Sequence, residues 1–404
     1  MVARYVIPKE SLLEGCLLTP DDYANILERF ESFCTPFIRH IKPVSRQKKI
    51  KDYMKGLMSD VERKNVESIA YYHGADRQQL QRFIGQVEWD DEKILDKLVL
   101  RVGREIGTQN GILVLDPTSF PKKGTESVGV QRQWCGRLGK VDNCQVATFL
   151  AYVGSNEFAL IDRRLYLPKE WTDDPPRCRL AGVPKEHIVE KTRHEQSLEM
   201  LKGRGKKLPH AWIAGDDEMG RIPWFRKELR KLKKSYILAV PSNILICDLE
   251  NTSCSCCAGT FVSVQHWMKS LPADNWKLVK VRQGHKGWLS VRLVTCRVRA
   301  MIEGEVGDEE TLIVSKWRDE TNKPRCDYYL SFNNWEEVSL DEYGRVIKSA
   351  YRIEEGFRRS KGECGLSDYQ VRNWLGWHHH ICLSMLSQWF LTEELMRQKK
   401  MFRQ

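Results

Sequence analysis

Residues 111–124 read GILVLDPTSFPKKG. Four aliphatic side chains, Ile112 to Leu115, run without a polar break into Asp116, and Pro117 ends the pattern. Such a run, bounded by turn residues, predicts a strand buried on both faces in an α/β sheet. A carboxylate at the end of that strand is unfavourable unless a cation offsets its charge. Lys122 and Lys123 follow close behind.

Working outward, NCQVATFLAYVG and FALIDRRLYLP are further strand candidates, and KEHIVEKTRHEQSLEMLKGRG reads as a helix. AWIAGDD is a second strand ending in acids, PWFRKELRKLKK a basic helix, and SYILAVPS another strand. Strands alternating with helices predict an α/β sheet. Before residue 106 the chain reads as helices. In DDYANILERFESFC, the apolar residues Tyr23, Ile26, Leu27, Phe30 and Phe33 recur at three- and four-residue steps. The next segment is rich in Lys and Arg. WKLVKVRQ, WLSVRLVTCRVRAMI, ETLIVSKWR and CDYYLSF look like hairpin strands, and helical patterns return over 342–364 and 373–396. The expected division is a helical DNA-binding domain (1–105), an α/β core (106–241), a β-rich insertion (242–340) and the core's C-terminal helices (341–404).

The chain has 404 residues, is 41% hydrophobic, and carries a formal charge of +11. Both signs of charge are abundant, so this is a basic globular protein, and the excess favours a polyanion partner. No apolar run approaches the roughly 18 residues a membrane helix needs, and the N-terminal stretch has no signal-like apolar region. Thirteen cysteines, scattered and odd in number, read as reduced thiols in a cytoplasm. CSCC at 254–257 lacks a matching pair of ligands for zinc, HHH at 378–380 reads as helix packing or DNA-backbone contact ahead of a metal role, and no phosphate-binding G-x4-G-K-[ST] loop exists.

Three acids stand out: Asp116, Asp216 after WIAG, and one of Glu354 or Glu355 in AYRIEEGFRRSKGEC. Phosphoryl transfer with two divalent ions about 4 Å apart needs oxygen ligands from distant chain positions. Helix geometry separates the two glutamates. With Ile353 at 0° and about 100° per residue, Phe357 and Cys364 mark the buried face. Glu354 then lies beside Lys361 on the edge of that face, and Glu355 points away. Glu354 is therefore the better ligand, with Lys361 about 10 Å further along the axis. At that distance Lys361 suits a neighbouring phosphate.

The sequence resembles the DDE transposases of bacterial insertion sequences. The likeness rests on DPTSFPKKG, SVGVQRQWCGRLGKVDNCQ, LYLPKEW, RLAGVP, WIAGDDEMG, YILAVP, RIEEGFRRSKGECGLSDYQVR and WLGWHHHICL, with GLMSDVERKN and LQRFIGQVEWD nearer the N-terminus. It runs from about residue 45 to 391. The resemblance implies an RNase H-like mixed sheet with flanking helices, a β-rich insertion and a helical N-terminal domain. It implies a site of Asp116, Asp216 and Glu354 holding two Mg²⁺ ions, with Mn²⁺ as a substitute. DNA contacts are expected from Lys122, Lys123, Arg132, Lys140, Arg358 and Lys361.

The implied partners are double-stranded DNA, as terminal inverted repeats and target, and a second copy on paired ends. The implied location is the nucleoid. Relatives carry Y-x2-R-x3-E-x6-K on the last site helix. Here E-x6-K is kept, but Ile347 and Ala350 stand at the Tyr and Arg places, and Arg352 or Arg358 is left to supply that grip. Met219 stands where an aromatic is common. Some relatives stack a flipped base on a Trp of the insertion, for which Trp276, Trp288 and Trp317 are candidates. A DNA-binding relative without catalysis, or a structure-specific nuclease on the same fold, are the alternative readings.

Overall fold

The computed structural model describes residues 24–401 apart from 155–156, 251–259, 285–286, 319–322 and 334–337. The side chains of 281–289, 350, 351, 354, 355, 400 and 401 are also outside the described residues. CSCC therefore falls outside them.

Five helices come first: α1 (Ile26–Ile38), α2 (Val44–Leu57), α3 (Val66–Tyr72), α4 (Arg77–Gly85) and α5 (Asp91–Ile106). Asn65, Asp76 and Asp90 cap α3, α4 and α5, each side chain accepting a backbone N–H of the first turn. The basic side of α2 is partly satisfied within the protein. Lys51 and Lys55 both pair with Glu31, and the Lys49 ammonium lies 5.9 Å over the Phe83 ring.

The sheet begins with β1 (Ile112–Pro121), β2 (Gln131–Cys135), β3 (Lys140–Gly154) and β4 (Glu157–Leu165). It continues, after α6 (Arg193–Lys202), with β5 (Trp212–Gly215), α7 (Asp217–Gly220), α8 (Pro223–Lys231) and β6 (Ser235–Ala239). β4, β3, β1, β5 and β6 lie side by side, with β3 antiparallel and the other four parallel. This is the mixed, RNase H-like order.

Two expectations from the sequence are corrected. The strand does not end at Pro117: β1 pairs with β3 as far as Pro121. Lys122 donates its N–H to Asn143 of β3, so the alternate residues Pro117 and Pro121 turn their donor-less nitrogens to the other edge. There β5 has already ended, at Leu115 opposite Gly215. The helix read over 185–205 is shorter, because a capping box starts α6 only after Thr192. Thr192 Oγ1 accepts from Glu195 N–H, and Glu195 reaches back to the Thr192 N–H at 2.7 Å.

The following strands are β7 (Leu245–Asp248), β8 (Val262–Ser263), β9 (Lys277–Gly284), β10 (Gly287–Ile302), β11 (Glu305–Arg318) and β12 (Pro324–Phe332), with α9 (Val264–Lys269) among them. They extend the same 12-stranded sheet, because β12 pairs with β6. α10 (Leu340–Glu363) and α11 (Trp374–Met401) close the chain.

α11 is buried through its middle, and two of its three histidines pack there. His380 accepts the Tyr53 hydroxyl at 2.8 Å and donates to the Gly365 carbonyl at 2.9 Å, a pattern that fits the neutral ring. The His379 ring stacks on Trp89 at 3.7 Å. Burial pushes both imidazoles down to about 4. The folded state therefore binds these protons less readily than the unfolded chain does. The stability that the neutral His380 ring contributes is complete above about pH 6.5 and is lost as pH falls toward 4, by about 3 kcal/mol. Urea unfolding across that range should show a steep loss for the wild type and a shallower one for His380→Phe.

Candidate active site

Asp116 and Asp216 come together through the sheet register. Leu115 pairs with Gly215 in the parallel β1–β5 ladder, so the two aspartates occupy the next position on strands about 4.8 Å apart. Asp216 is fixed as the N-cap of α7, its Oδ1 accepting the Met219 N–H at 3.1 Å. Met219, where relatives carry an aromatic, is fully buried under this turn. Burial, and after it the charge of Glu218, raises the Asp216 carboxyl to about 7.

The turn is held from behind. Gly220 donates to the Asp216 carbonyl at 3.0 Å, and Arg226 Nη1 donates to the Gly220 carbonyl at 2.6 Å. Arg226 in turn pairs with Glu310 of β11 at 2.9 Å, and Tyr236 donates to the same carboxylate at 2.6 Å. Gly220 has no room for a side chain, since a Cβ there would lie 1.9 Å from the Ala239 carbonyl oxygen. The sequence offered no way to single out Glu310 from its acidic neighbours Asp308 and Glu309. The β-rich segment thus reaches the second aspartate's turn through one buried carboxylate.

α10 covers the face of β1 that carries Asp116. Phe149 pairs directly with Asp116 across β3, and its ring meets Phe357 of α10 at 5.2 Å. Two residues past Asp116, Thr118 Oγ1 accepts the Lys361 ammonium at 2.7 Å. At the other end of α10, Glu342 accepts the Trp212 indole N–H at 2.7 Å, at the start of β5. Residue 354 stands between these anchors, about 18 Å along the axis from 342 and about 10 Å from 361. Glu354 thus belongs to the helix over this face, but its side chain, like that of Glu355, lies outside the described residues.

The helix is seated closely: a Cβ on Gly356 would lie 2.1 Å from the Phe158 ring. Gly356→Ala should push α10 off the sheet, lower stability by about 1–3 kcal/mol and reduce cutting more than DNA binding. Thermal melting and a cleavage assay on the same variant check this.

The predicted DNA-contact residues divide. Lys123 is exposed beside a cavity of about 1090 Å³ that Arg63 and Arg77 also line. Arg132, Lys140 and Arg358 are exposed, with Lys140 paired to Asp142 at 2.9 Å. Lys122 lines the same cavity but is half-buried. Its ammonium sits 3.5 Å over the Tyr369 ring and donates to the Tyr369 carbonyl, and burial pushes it down to about 7. Lys361 is likewise inside, held down to about 8 by burial and then by Arg137, with Asp116 pulling the other way.

Ile347, at the place of the relatives' Tyr, is buried. Of the tryptophans read as base-stacking candidates, Trp276 lies under the Lys316 ammonium at 3.6 Å and Trp317 donates to Asp327 at 2.6 Å. The Trp288 side chain is outside the described residues.

Asp116, midway along β1, and Asp216, just past the end of β5, stand at neighbouring register positions, and carboxylate oxygens are the ligands a hard divalent cation takes. The sequence profile of the DDE superfamily endonucleases matches residues 36–246. The chain belongs to that family. A probable transposase for insertion sequence element IS701 of Microchaete diplosiphon is 25% identical over 326 residues, 79% of this chain and 75% of that protein. Family and relative make this a DDE endonuclease of the transposase kind. The solved piggyBac transposase synaptic complex with hairpin DNA matches at a TM-score of 0.41 and 10% identity, covering 86% of this chain and 65% of that one. This DDE endonuclease has, among the described residues, no helix long and apolar enough to cross a membrane.

Proposed function

We propose that this DDE endonuclease cuts double-stranded DNA at the ends of its own element and joins the freed ends to a target. The observation that carries the reading is the shared register of Asp116 and Asp216 under the helix that bears Glu354. Those three residues are the metal ligands in this reading, for two Mg²⁺ ions or for Mn²⁺. When bound, the ions activate the attacking oxygen and stabilise the leaving one during in-line displacement at a phosphate.

The chain's own residues prepare that step. Asp216 keeps one oxygen on the Met219 N–H, which fixes its rotamer and leaves the other for a ligand role. Lys361, tied to Thr118, sets a cation beside Asp116 that holds a neighbouring phosphate. Lys123, Arg132, Lys140 and Arg358 grip the duplex backbone, whose charge makes such contacts salt-dependent. Two chains work on paired ends, in the nucleoid.

The test is strand cleavage of DNA carrying the gene's own flanks, with Mg²⁺ or Mn²⁺. Metal-dependent cuts at a repeat boundary support the proposal. Binding without any cutting would leave a DNA-binding relative, and cutting without joining would leave a nuclease.

A further inference from the structure

The cations of α8 divide by face. Lys227 and Lys231 are exposed, while Arg226 and Arg230, four residues apart on one side of the helix, turn to the sheet. Arg230 lies 5.1 Å over the Phe332 ring of β12, which stacks on its cross-strand partner Tyr236 of β6. Arg226 goes further in. Its side chain is 1% exposed, and that of its partner Glu310, on β11, is 0% exposed.

Glu310 is the meeting point of these groups. It accepts Arg226 Nε at 2.9 Å and the Tyr236 hydroxyl at 2.6 Å, and Arg230 Nη2 lies 3.2 Å away. The Arg226 guanidinium turns its other edge to the second acid's turn, where Nη1 donates to the Gly220 carbonyl at 2.6 Å. Gly220 ends the single turn that Asp216 caps, and its N–H holds the Asp216 carbonyl. One unbroken run of hydrogen bonds therefore leads from β11 through Arg226 and Gly220 to Asp216. On the strand side, the Ala239 carbonyl leaves residue 220 no room to move. The turn is clamped between β6 and Arg226.

Stability alone does not call for this pair. Apolar side chains of similar volume often stabilise a core as well as a buried ion pair does. What they cannot do is donate a directed hydrogen bond to a backbone carbonyl. We propose that Arg226 and Glu310 are positioning residues for the Asp216 carboxylate, so that the β-rich segment, through Glu310, sets how tightly the site holds its divalent cation. The proposal rests on the reading of Asp216 as a metal ligand. Neither residue is itself a ligand. They hold the Asp216–Gly220 turn in one arrangement before the ion arrives, and groups that orient a metal's ligands change its affinity about 10–100-fold.

The experiment uses the full-length protein. Arg226→Met combined with Glu310→Gln removes one charge of each sign, keeps an acceptor for Tyr236 and deletes the donor to Gly220. Without metal, hydrogen exchange followed by mass spectrometry should rise about tenfold over Asp216–Gly220 and stay unchanged over Ile112–Leu115. Mn²⁺ titration followed by electron paramagnetic resonance should show binding about 10–100-fold weaker at the site that Asp216→Asn abolishes, with cutting recovered at raised Mn²⁺. Arg226→Lys keeps the charge against Glu310 but not the fork that spans Glu310 and Gly220, and should show the same two changes.

Wild-type exchange and wild-type Mn²⁺ affinity in either variant would overturn the positioning role. So would exchange that rises equally over both segments. So would a double variant that fails to fold while Arg226→Lys binds Mn²⁺ as wild type does, because the pair would then serve stability alone. A Mn²⁺ titration that Asp216→Asn leaves unchanged would instead sink Asp216 as a metal ligand.

Discussion

Replacing Asp116 by Asn is expected to abolish strand cleavage, by about three orders of magnitude or more, while DNA binding and folding stay close to wild type. The substitution keeps shape and removes one ligand charge. Each factor of ten corresponds to about 1.4 kcal/mol of barrier, so a ligand supplying several kcal/mol of charge stabilisation accounts for a loss of that size. Folding is spared because Asp116 follows the section of β1 that pairs with β5, and the apolar burial of Ile112 to Leu115 is untouched. Cleavage of flank DNA, filter binding and thermal melting on one preparation separate the three quantities. A variant that still cuts at a tenth of the wild-type rate would remove Asp116 from the site.

The second large effect is on stability. Arg163 of β4 is buried and pairs with Asp91 and, at 2.6 Å, with Glu92, the first two residues of α5. Arg204 joins the same cluster, donating to Glu92 and to the buried Asp162, each at 2.8 Å. Burial opposes these charges, yet Arg163 and Arg204 hold the Glu92 carboxyl well below its usual range. Arg163→Ala removes the central cation and leaves Asp91 buried without its partner. A broken buried pair of this kind costs about 3–5 kcal/mol. Urea unfolding should show that loss, and the tie between the helices before residue 106 and the sheet should loosen with it. Loss below about 1 kcal/mol would mean that the cluster stabilises little.

The parts of the fold legible in the sequence were those set by local pattern. The run from Ile112 to Leu115 announced a doubly buried strand, and the acids that follow the apolar runs of β1 and β5 marked the positions that the ladder brings side by side. What was not legible depended on contacts between distant segments. A two-residue alternation identifies β12 as a strand but does not say that it pairs with β6 and so joins the β-rich segment to the core sheet. Lys122 reads as a DNA contact because nothing local shows Tyr369, 247 residues away, waiting for its ammonium. Nothing local singles out Glu310 either, because its partners Arg226 and Tyr236 lie 84 and 74 residues away.

The central claim is that Glu354 joins Asp116 and Asp216 in one metal site, and manganese binding tests it most directly. The full chain on flank DNA would be titrated with Mn²⁺ and free ion followed by electron paramagnetic resonance, for wild type, Asp116→Asn, Asp216→Asn and Glu354→Gln. About two ions per chain in wild type, and fewer in each of the three variants, is the predicted result. A full complement of ions in Glu354→Gln, with loss in the two aspartate variants, would contradict it.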